Sequence, residues 1–296
     1  MNGRLRKDKF IKIYFASILV LVLAVVFVIA IGLVVKSMPL LESESLGKVL
    51  FGKTWSPMNG DFGFFPFIMG TVWVTVISLV IAVPLCVLAA MYLIAYASTR
   101  LRNIVLPLIN VLAAIPPVLY GVWGVLFVVP AIREYVAPIF GVETTGYSVL
   151  AGGMVLAVMI FPIMLSIMVA VLSGIPKDLK DASLALGATR WETLTKVELL
   201  KARPGLLAAA VLGISRAFGE TIAVLMVCGN VPKVPKFLFD AGYPLPALIA
   251  NNFGEMMSIP NYDAALMFAA LLLFVIILGF NMGSRLVLNR MEGEAA

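Results

Sequence analysis

Histidine is absent from this 296-residue chain, cysteine occurs only twice, and charged residues make up 13% of it. The lack of histidine excludes His-based acid–base catalysis, histidine-containing triads and most zinc sites. Cys86 and Cys228 lie in separate apolar segments, where small buried thiols are ordinary. The sequence therefore predicts no catalytic residue, no metal site and no cofactor.

The composition predicts an integral membrane protein. Hydrophobic residues account for 62% of the chain and the mean hydropathy is +1.06, whereas a soluble domain is only about half apolar. The net charge of +6 is no sign of a nucleic-acid partner, because the basic residues are distributed between apolar segments and form no single stripe.

Six apolar runs are long enough to cross a lipid bilayer, which takes about 20 residues each. The first run extends for about 25 residues, so we interpret it as a retained transmembrane helix and not as a cleaved signal peptide. We expect one all-α transmembrane domain over 1–296, with spans near 10–35, 67–97, 104–130, 147–173, 205–229 and 263–288.

The distribution of basic residues predicts the orientation. With six spans both termini lie on one side, and that side receives 15 of the 22 basic residues. Because cytoplasmic loops carry the excess of Lys and Arg, we expect both termini in the cytoplasm.

The segment "AIPPVLYG", 114–121, contains two adjacent prolines inside the predicted third span. Proline removes a backbone donor and tends to break a helix, and lipid tolerates this only where a cavity or a neighbouring helix satisfies the backbone. The segment is either a kinked packed helix or a bent helix that lines a path.

Two loops on the predicted outer side, 36–66 and 230–262, are rich in aromatic residues. They are either ordinary caps or docking surfaces, because aromatic residues are favoured at interfaces. A short helix is expected within 245–257. The aromatic residues are Trp55, Phe62, Phe64, Phe65, Phe237, Phe239 and Tyr243.

The stretch "GKVLFGKT", 47–54, matches the pattern of a phosphate-binding loop. That loop requires a strand before it and a helix after it, and neither flank has the right character. We therefore predict that the chain has no ATPase site of its own.

The inner loop 176–201 is long and charged, and its sequence predicts a helix, a turn and a second helix. Its "DASLALGATRWETLTKVELL" resembles the cytoplasmic loop of ABC-importer permeases, with the differences of Asp181 for Glu, Ser183 for Ala and Leu200 for Pro. The resemblance implies a coupling helix that docks on a separate ATP-binding subunit. The residues expected at that contact are Asp181, Ala182, Gly187 and Arg190.

Arg216 and Glu220 are the only charged residues deep within a predicted span. Charges at that depth are costly and usually face a bundle interior or a cavity. Four residues apart, they would share one helix face and could pair. Two interpretations stay open: an ion pair that fixes helix register, or a guanidinium fork that meets an anion and is restrained by the carboxylate.

"SRAFGETIAVLMVCGN" and most of the chain from about residue 67 resemble a permease subunit of the phosphate-specific ABC importer, within the binding-protein-dependent transport inner-membrane component family. The resemblance implies a type I importer permease fold and a phosphate path that includes Arg216, Glu220 and Thr221. It also implies partners: a paralogous second permease, two ATP-binding subunits and an extracytoplasmic phosphate-binding protein, all at the bacterial inner membrane.

Three alternatives remain at this stage. The anion could be sulfate, molybdate or tungstate, because selectivity in such systems rests largely on the binding protein. The chain could be a stand-alone secondary carrier with Glu220 as its proton site, although the long inner loop argues against that. A membrane-embedded enzyme is the weakest alternative, because one buried carboxylate without histidine makes no plausible catalytic set.

Overall fold

The computed structural model describes residues 2–255, 259 and 261–294, and these are mostly helical. The one sheet in this part of the chain is a short antiparallel pair, β1 (Trp55–Ser56) and β2 (Asp61–Phe62). The helices are α1 (Asn2–Ser43), α2 (Leu46–Phe51), α3 (Phe65–Ala95), α4 (Thr99–Ala113), α5 (Pro117–Ile139), α6 (Val149–Ser173), α7 (Lys177–Ala185), α8 (Arg190–Glu192, Thr193–Glu198 and Leu199–Phe218 in succession), α9 (Ile222–Val227), α10 (Leu245–Asn252) and α11 (Tyr262–Glu294).

Among the described residues, five stretches are long and apolar enough to cross a bilayer as single helices. Four of them overlap the predicted first, second, fourth and sixth spans, and the remaining one, α5, overlaps the second half of the predicted third span. The stretches are Phe10–Ser43, Phe65–Ala95, Pro117–Ile139, Val149–Ser173 and Tyr262–Gly283.

Helix α6 is the centre of the fold, and it is the most buried of these five stretches. Its packing partners are α3, α4, α5, α8 and α9. Small residues allow the close approaches, because a side chain at Gly153 would collide with Ile77 of α3 and one at Gly205 would collide with Val171 of α6. These five neighbouring helices therefore cover most of the surface of α6.

The predicted third and fifth spans correspond to helices that are interrupted. Helix α4 ends at Ala113 and α5 begins at Pro117, while α8 ends at Phe218 and α9 begins at Ile222. Both interrupted pairs run antiparallel to α6 along its length. For the first pair the contacts are Arg102–Ser173, Asn110–Ser166 and Val129–Gly146, and for the second they are Gly205–Val171, Gly213–Met164 and Val227–Ser148.

The bundle has two distinct ends. At one end, which we call the loop end, lie the C-terminus of α6 and the whole of α7. At the other, the aromatic end, Asn261 donates a hydrogen bond from Nδ2 to Ser43 Oγ at 3.2 Å. Helices α1 and α11 pack against each other from this contact.

The aromatic residues of the two long loops mostly form a core of their own. The Trp55 ring makes edge contacts with Phe62, Phe64 and Phe67, and Phe67 makes an edge contact with Tyr243. The structure thus supports the interpretation of these loops as caps. Phe237 differs, because 70% of it is exposed.

Two further expectations concern these loops. The helix expected within 245–257 is present as Leu245–Asn252, and residues 256–257 lie outside the described part of the chain. The residues of "GKVLFGKT" do not form a phosphate-binding loop, because 47–51 belong to α2.

Candidate functional site

The first component of the site is the interruption between α8 and α9. Helix α8 stops at Phe218 and three residues pass before α9 begins. The Glu220 backbone N–H donates to the Ala217 carbonyl at 3.3 Å, and the Thr221 hydroxyl donates to the Gly219 carbonyl at 3.3 Å. These local hydrogen bonds compete with helical ones, so the helix ends here although residues 216–222 contain no proline.

Glu220 stabilises the start of α9. Its Oε1 accepts a hydrogen bond from the backbone N–H of Ala223 at 3.2 Å, which satisfies a donor that has no partner within the helix. Arg216 occupies the last turn of α8, where a positive charge is favourable beside the free carbonyls of a helix C-terminus. Each charge thus lies at the kind of helix end that favours it.

The prediction that Arg216 and Glu220 pair on one helix face is wrong. Among the ion pairs of the described residues, none joins the two side chains. The physical reason is the interruption itself, because i and i+4 positions are neighbours only while the helix continues.

The second component is the interruption between α4 and α5, at 114–116. Pro116 has extended backbone angles, φ −59° and ψ 139°, and Pro117 is the first residue of α5. A proline disfavours helical geometry in the residue before it, so consecutive prolines end one helix and begin another. The Tyr120 hydroxyl donates a hydrogen bond of 2.8 Å to the Leu112 carbonyl, which spans the gap.

The two interruptions lie side by side. A Cβ atom at Gly121 would be 2.5 Å from Met226 Sδ and 3.2 Å from the Ala223 Cα, so α5 and α9 are in close contact. An apolar cavity of about 180 Å³ adjoins the interruption between α4 and α5, lined in part by Tyr120 and by Phe161, the middle residue of α6. The interruptions are therefore near half the depth of the bundle.

This arrangement gathers polar groups at mid-depth. The Arg216 guanidinium is close enough to the Tyr120 hydroxyl for a Coulombic interaction. Arg216 is exposed on the isolated chain, and Glu220 and Thr221 are half-buried. Because a charge directed into lipid is costly, we expect this face to border protein or a water-filled path.

The loop between α6 and α8 contains the predicted helix, turn and helix. Helix α7 ends in a left-handed turn at Gly187, whose φ is +88°. Hydrogen bonds from Ala188 N to Ser183 O at 3.2 Å and from Gly187 N to Leu184 O at 3.0 Å close the turn, which is the Schellman arrangement that favours glycine.

Helix α8 begins with a capping box. Thr189 Oγ1 accepts from the Glu192 N–H at 3.2 Å, and Glu192 Oε2 accepts from the Thr189 N–H at 3.0 Å. The hydrogen bond from the Thr189 backbone, together with Lys196, lowers the pKa of Glu192 to about 2. The start of α8 is therefore defined by its own sequence.

All four residues expected at the contact with an ATP-binding subunit are exposed, namely Asp181, Ala182, Gly187 and Arg190. Large apolar side chains beside them are exposed as well, with 90% of Leu186 and 55% of Trp191 accessible. An exposed apolar surface of this kind is typical of a protein–protein contact.

Comparison with known proteins agrees with this geometry. Residues 82–292 match the model of the family described as binding-protein-dependent transport system inner membrane component. The chain belongs to this family. As a permease of this family it is a transporter subunit and not an enzyme, and it is a multi-pass membrane protein.

Several curated proteins are similar to this permease. A probable ABC transporter permease of Bacillus subtilis, YqgH, is 40% identical over 203 residues, which are 68% of this chain and 64% of that protein. The phosphate transport system permease protein PstC of Xylella fastidiosa (strain 9a5c) is 31% identical, over 97% of this chain and 92% of that protein. PstC of Haemophilus influenzae is 35% identical, over 83% of this chain and 82% of that protein.

Solved structures of ABC importers share the fold. The permease is similar to a chain of the MetNI methionine transporter, with a TM-score of 0.55, 21% identity, and 77% of this chain and 94% of that chain covered. The permease is also similar to a chain of a bacterial ABC transporter involved in the import of alginate, with a TM-score of 0.55, 18% identity, and 75% of this chain and 79% of that chain covered. These similarities show the type I importer permease fold.

Arg216, Glu220 and Thr221, which the sequence gathers in one short segment, lie at the interruption between α8 and α9. Tyr120 was not predicted, although a tyrosine three residues after a Pro–Pro pair inside an apolar span is a visible signal. Gly121, which allows α5 and α9 to approach each other, was not predicted either.

Proposed function

We propose that this permease forms half of the translocation path of an ATP-driven importer of inorganic phosphate. The observation that carries the proposal is Arg216, a guanidinium without a carboxylate in its ion-pair range among the described residues, beside two helix interruptions at mid-depth. Guanidinium groups suit phosphate oxygens because their donors form a planar fork. Relatives that align with almost the whole chain are named phosphate transport system permeases.

In this proposal Arg216 receives the anion, and Glu220 and Thr221 form the adjoining wall of the path. Glu220 keeps the first turn of α9 in place through its hydrogen bond to Ala223. Phosphate passes without any bond change, so no acid–base residue is needed. The exposed face of Arg216 would be covered by a second, paralogous permease, because one chain leaves the charge uncovered.

The loop end is the cytoplasmic end in this proposal, and both termini lie there. Two ATP-binding subunits bind below, one of them at Asp181, Ala182, Gly187 and Arg190. An extracytoplasmic binding protein delivers phosphate at the aromatic end. The excess of basic residues in the segments assigned to the loop end supports this orientation.

The test is transport by the assembled complex. The permease, its partner permease, the ATP-binding subunits and the binding protein are reconstituted in liposomes, and uptake of radiolabelled phosphate is measured with and without ATP. We expect uptake that requires ATP and persists after a proton ionophore is added. Excess sulfate, molybdate or tungstate should compete weakly.

Two results would contradict the proposal. Uptake that needs no ATP and stops with the ionophore would identify a secondary carrier. Uptake of sulfate, molybdate or tungstate in the absence of phosphate uptake would identify another oxyanion as the substrate.

A further inference from the structure

Helix α7 is attached to the rest of the permease through a small area. All of its residues are described, and none of them is buried. Its main packing partner is the π-helical second part of α8, Thr193–Glu198. A force applied to α7 therefore reaches the transmembrane helices through this segment and through residues 174–176, which connect α7 to α6.

Two polar side-chain contacts contribute to this attachment, which we call the α7–α8 joint: Lys180 with Glu198, and Ser183 with Thr193. The Lys180 Nζ lies 2.7 Å from Glu198 Oε2, and only 8% of the Glu198 side chain is exposed. The Ser183 and Thr193 hydroxyl oxygens are 2.9 Å apart. Because separating the ion pair would leave a buried carboxylate uncompensated, the two helices are constrained to one relative position.

Helix α8 connects the joint directly to the candidate site. Its main part, Leu199–Phe218, contains 20 residues without interruption and carries Arg216 in its last turn. A helix of that length extends for about 30 Å. Movement of Glu198 is thus conveyed to Arg216 through one continuous helix, which contains Pro204.

We propose that the Lys180–Glu198 ion pair converts movement of α7 into movement of α8 and so of Arg216. The inference rests on the proposed function, in which α7 docks on an ATP-binding subunit. Lys180 and Glu198 act through Arg216 and do not meet the anion, so they are positioning residues. Through the α7–α8 joint, ATP-driven motion at the loop end moves Arg216 at mid-depth of the bundle.

The experiment compares three variants with a matched control in the reconstituted complex. K180M and E198Q break the ion pair, and the exchange K180E/E198K reverses its polarity. K196M is the control, because the Lys196–Glu192 ion pair has a similar N–O distance of 3.1 Å but is exposed and lies within α8 alone. ATP hydrolysis and phosphate uptake are measured on the same preparation.

We expect K180M and E198Q to hydrolyse ATP at rates near that of the wild type. The phosphate moved per ATP should fall about tenfold, within the range of typical coupling effects. The exchange variant should recover most of this ratio, and K196M should match the wild type. An unchanged ratio in K180M and E198Q, or an exchange variant no better than either of them, would overturn the proposal.

Two further measurements keep the test decisive. If E198Q does not assemble, K180M and the milder S183A are compared alone, and an unchanged ratio in both overturns the proposal. If the wild-type complex moves no phosphate, the proposed function fails, and the joint is judged by spin labels at Leu184 and Leu212. The distribution of distances between the two labels should stay the same through the ATP cycle in the wild type and broaden in K180M. An unchanged distribution in both proteins would contradict the proposed role of the joint.

Discussion

Arg216 and Glu220 lie on opposite sides of a helix end, four residues apart in sequence and without an ion pair between them. Arg216 belongs to the last turn of α8, and the Glu220 carboxylate accepts a hydrogen bond from Ala223 at the start of α9. The two charges thus have separate structural roles, so substitutions at these positions should have separable effects.

Arg216 should be indispensable for transport but not for assembly. We expect R216M to assemble and to lose uptake by about 10- to 100-fold, because a charge-assisted hydrogen bond contributes about 1.5–3 kcal/mol. R216K should also transport poorly, because an ammonium does not reproduce the planar fork. Uptake normalised to purified complex is the measurement, and near-normal uptake by R216M would place the phosphate path elsewhere.

Glu220 should tolerate an amide better than a truncation. E220Q keeps an oxygen that can accept from the Ala223 N–H, whereas E220A leaves that donor free and should destabilise the start of α9 by about 1 kcal/mol. The thermal unfolding midpoint of the purified complex distinguishes them. If E220Q is as unstable as E220A, the negative charge and not the hydrogen bond is what the site requires.

The contact between the two interruptions should be sensitive to volume at Gly121. G121V places atoms against Met226 and Ala223, and overpacking of this kind costs about 1–3 kcal/mol. G279A is the matched control, because among the described residues no atom lies within 4 Å of a Cβ built there. We expect a lower unfolding midpoint for G121V and an unchanged or higher one for G279A; equal midpoints would contradict the packing argument.

Gly187 should be needed for its backbone conformation. No described atom crowds the position, but its φ of +88° is unfavourable for other residues, at about 1–2 kcal/mol. G187L should weaken co-purification with the ATP-binding subunit, while G187N should have a smaller effect because asparagine adopts this conformation more readily. If both variants recover as much ATP-binding subunit as the wild type does, the turn is not part of the docking element.

The orientation can be tested with single cysteines at exposed positions. F237C at the aromatic end and L186C at the loop end replace side chains that are 70% and 90% exposed, while the native Cys86 and Cys228 are buried. A membrane-impermeant maleimide should label F237C in intact cells and L186C only after permeabilisation. The reverse labelling would invert the orientation and with it the assignment of the coupling loop.

The fold class could be predicted because hydropathy and the distribution of charge are properties of whole segments. The turn at Gly187 was equally accessible, since a glycine after an amphipathic segment commonly ends a helix. The interruption at 219–221 could not be predicted, because long apolar runs flank it on both sides, as in one continuous span, and its cause is local hydrogen bonding by Glu220 and Thr221. The sequence also could not show that the Trp55 ring packs on Phe67 of the same chain.

The pairing of α1 with α11 has a consequence for the order in which the permease is built. Its Ser43–Asn261 contact joins residues 218 positions apart, so α1 gains its main helical partner only after the helices around α6 have been synthesised. The most apolar window of α1 has 0% of its residues buried even in the finished chain, and an apolar helix of this length is stable alone in lipid. The helices around α6 can therefore assemble first, and a later step joins α1 to α11.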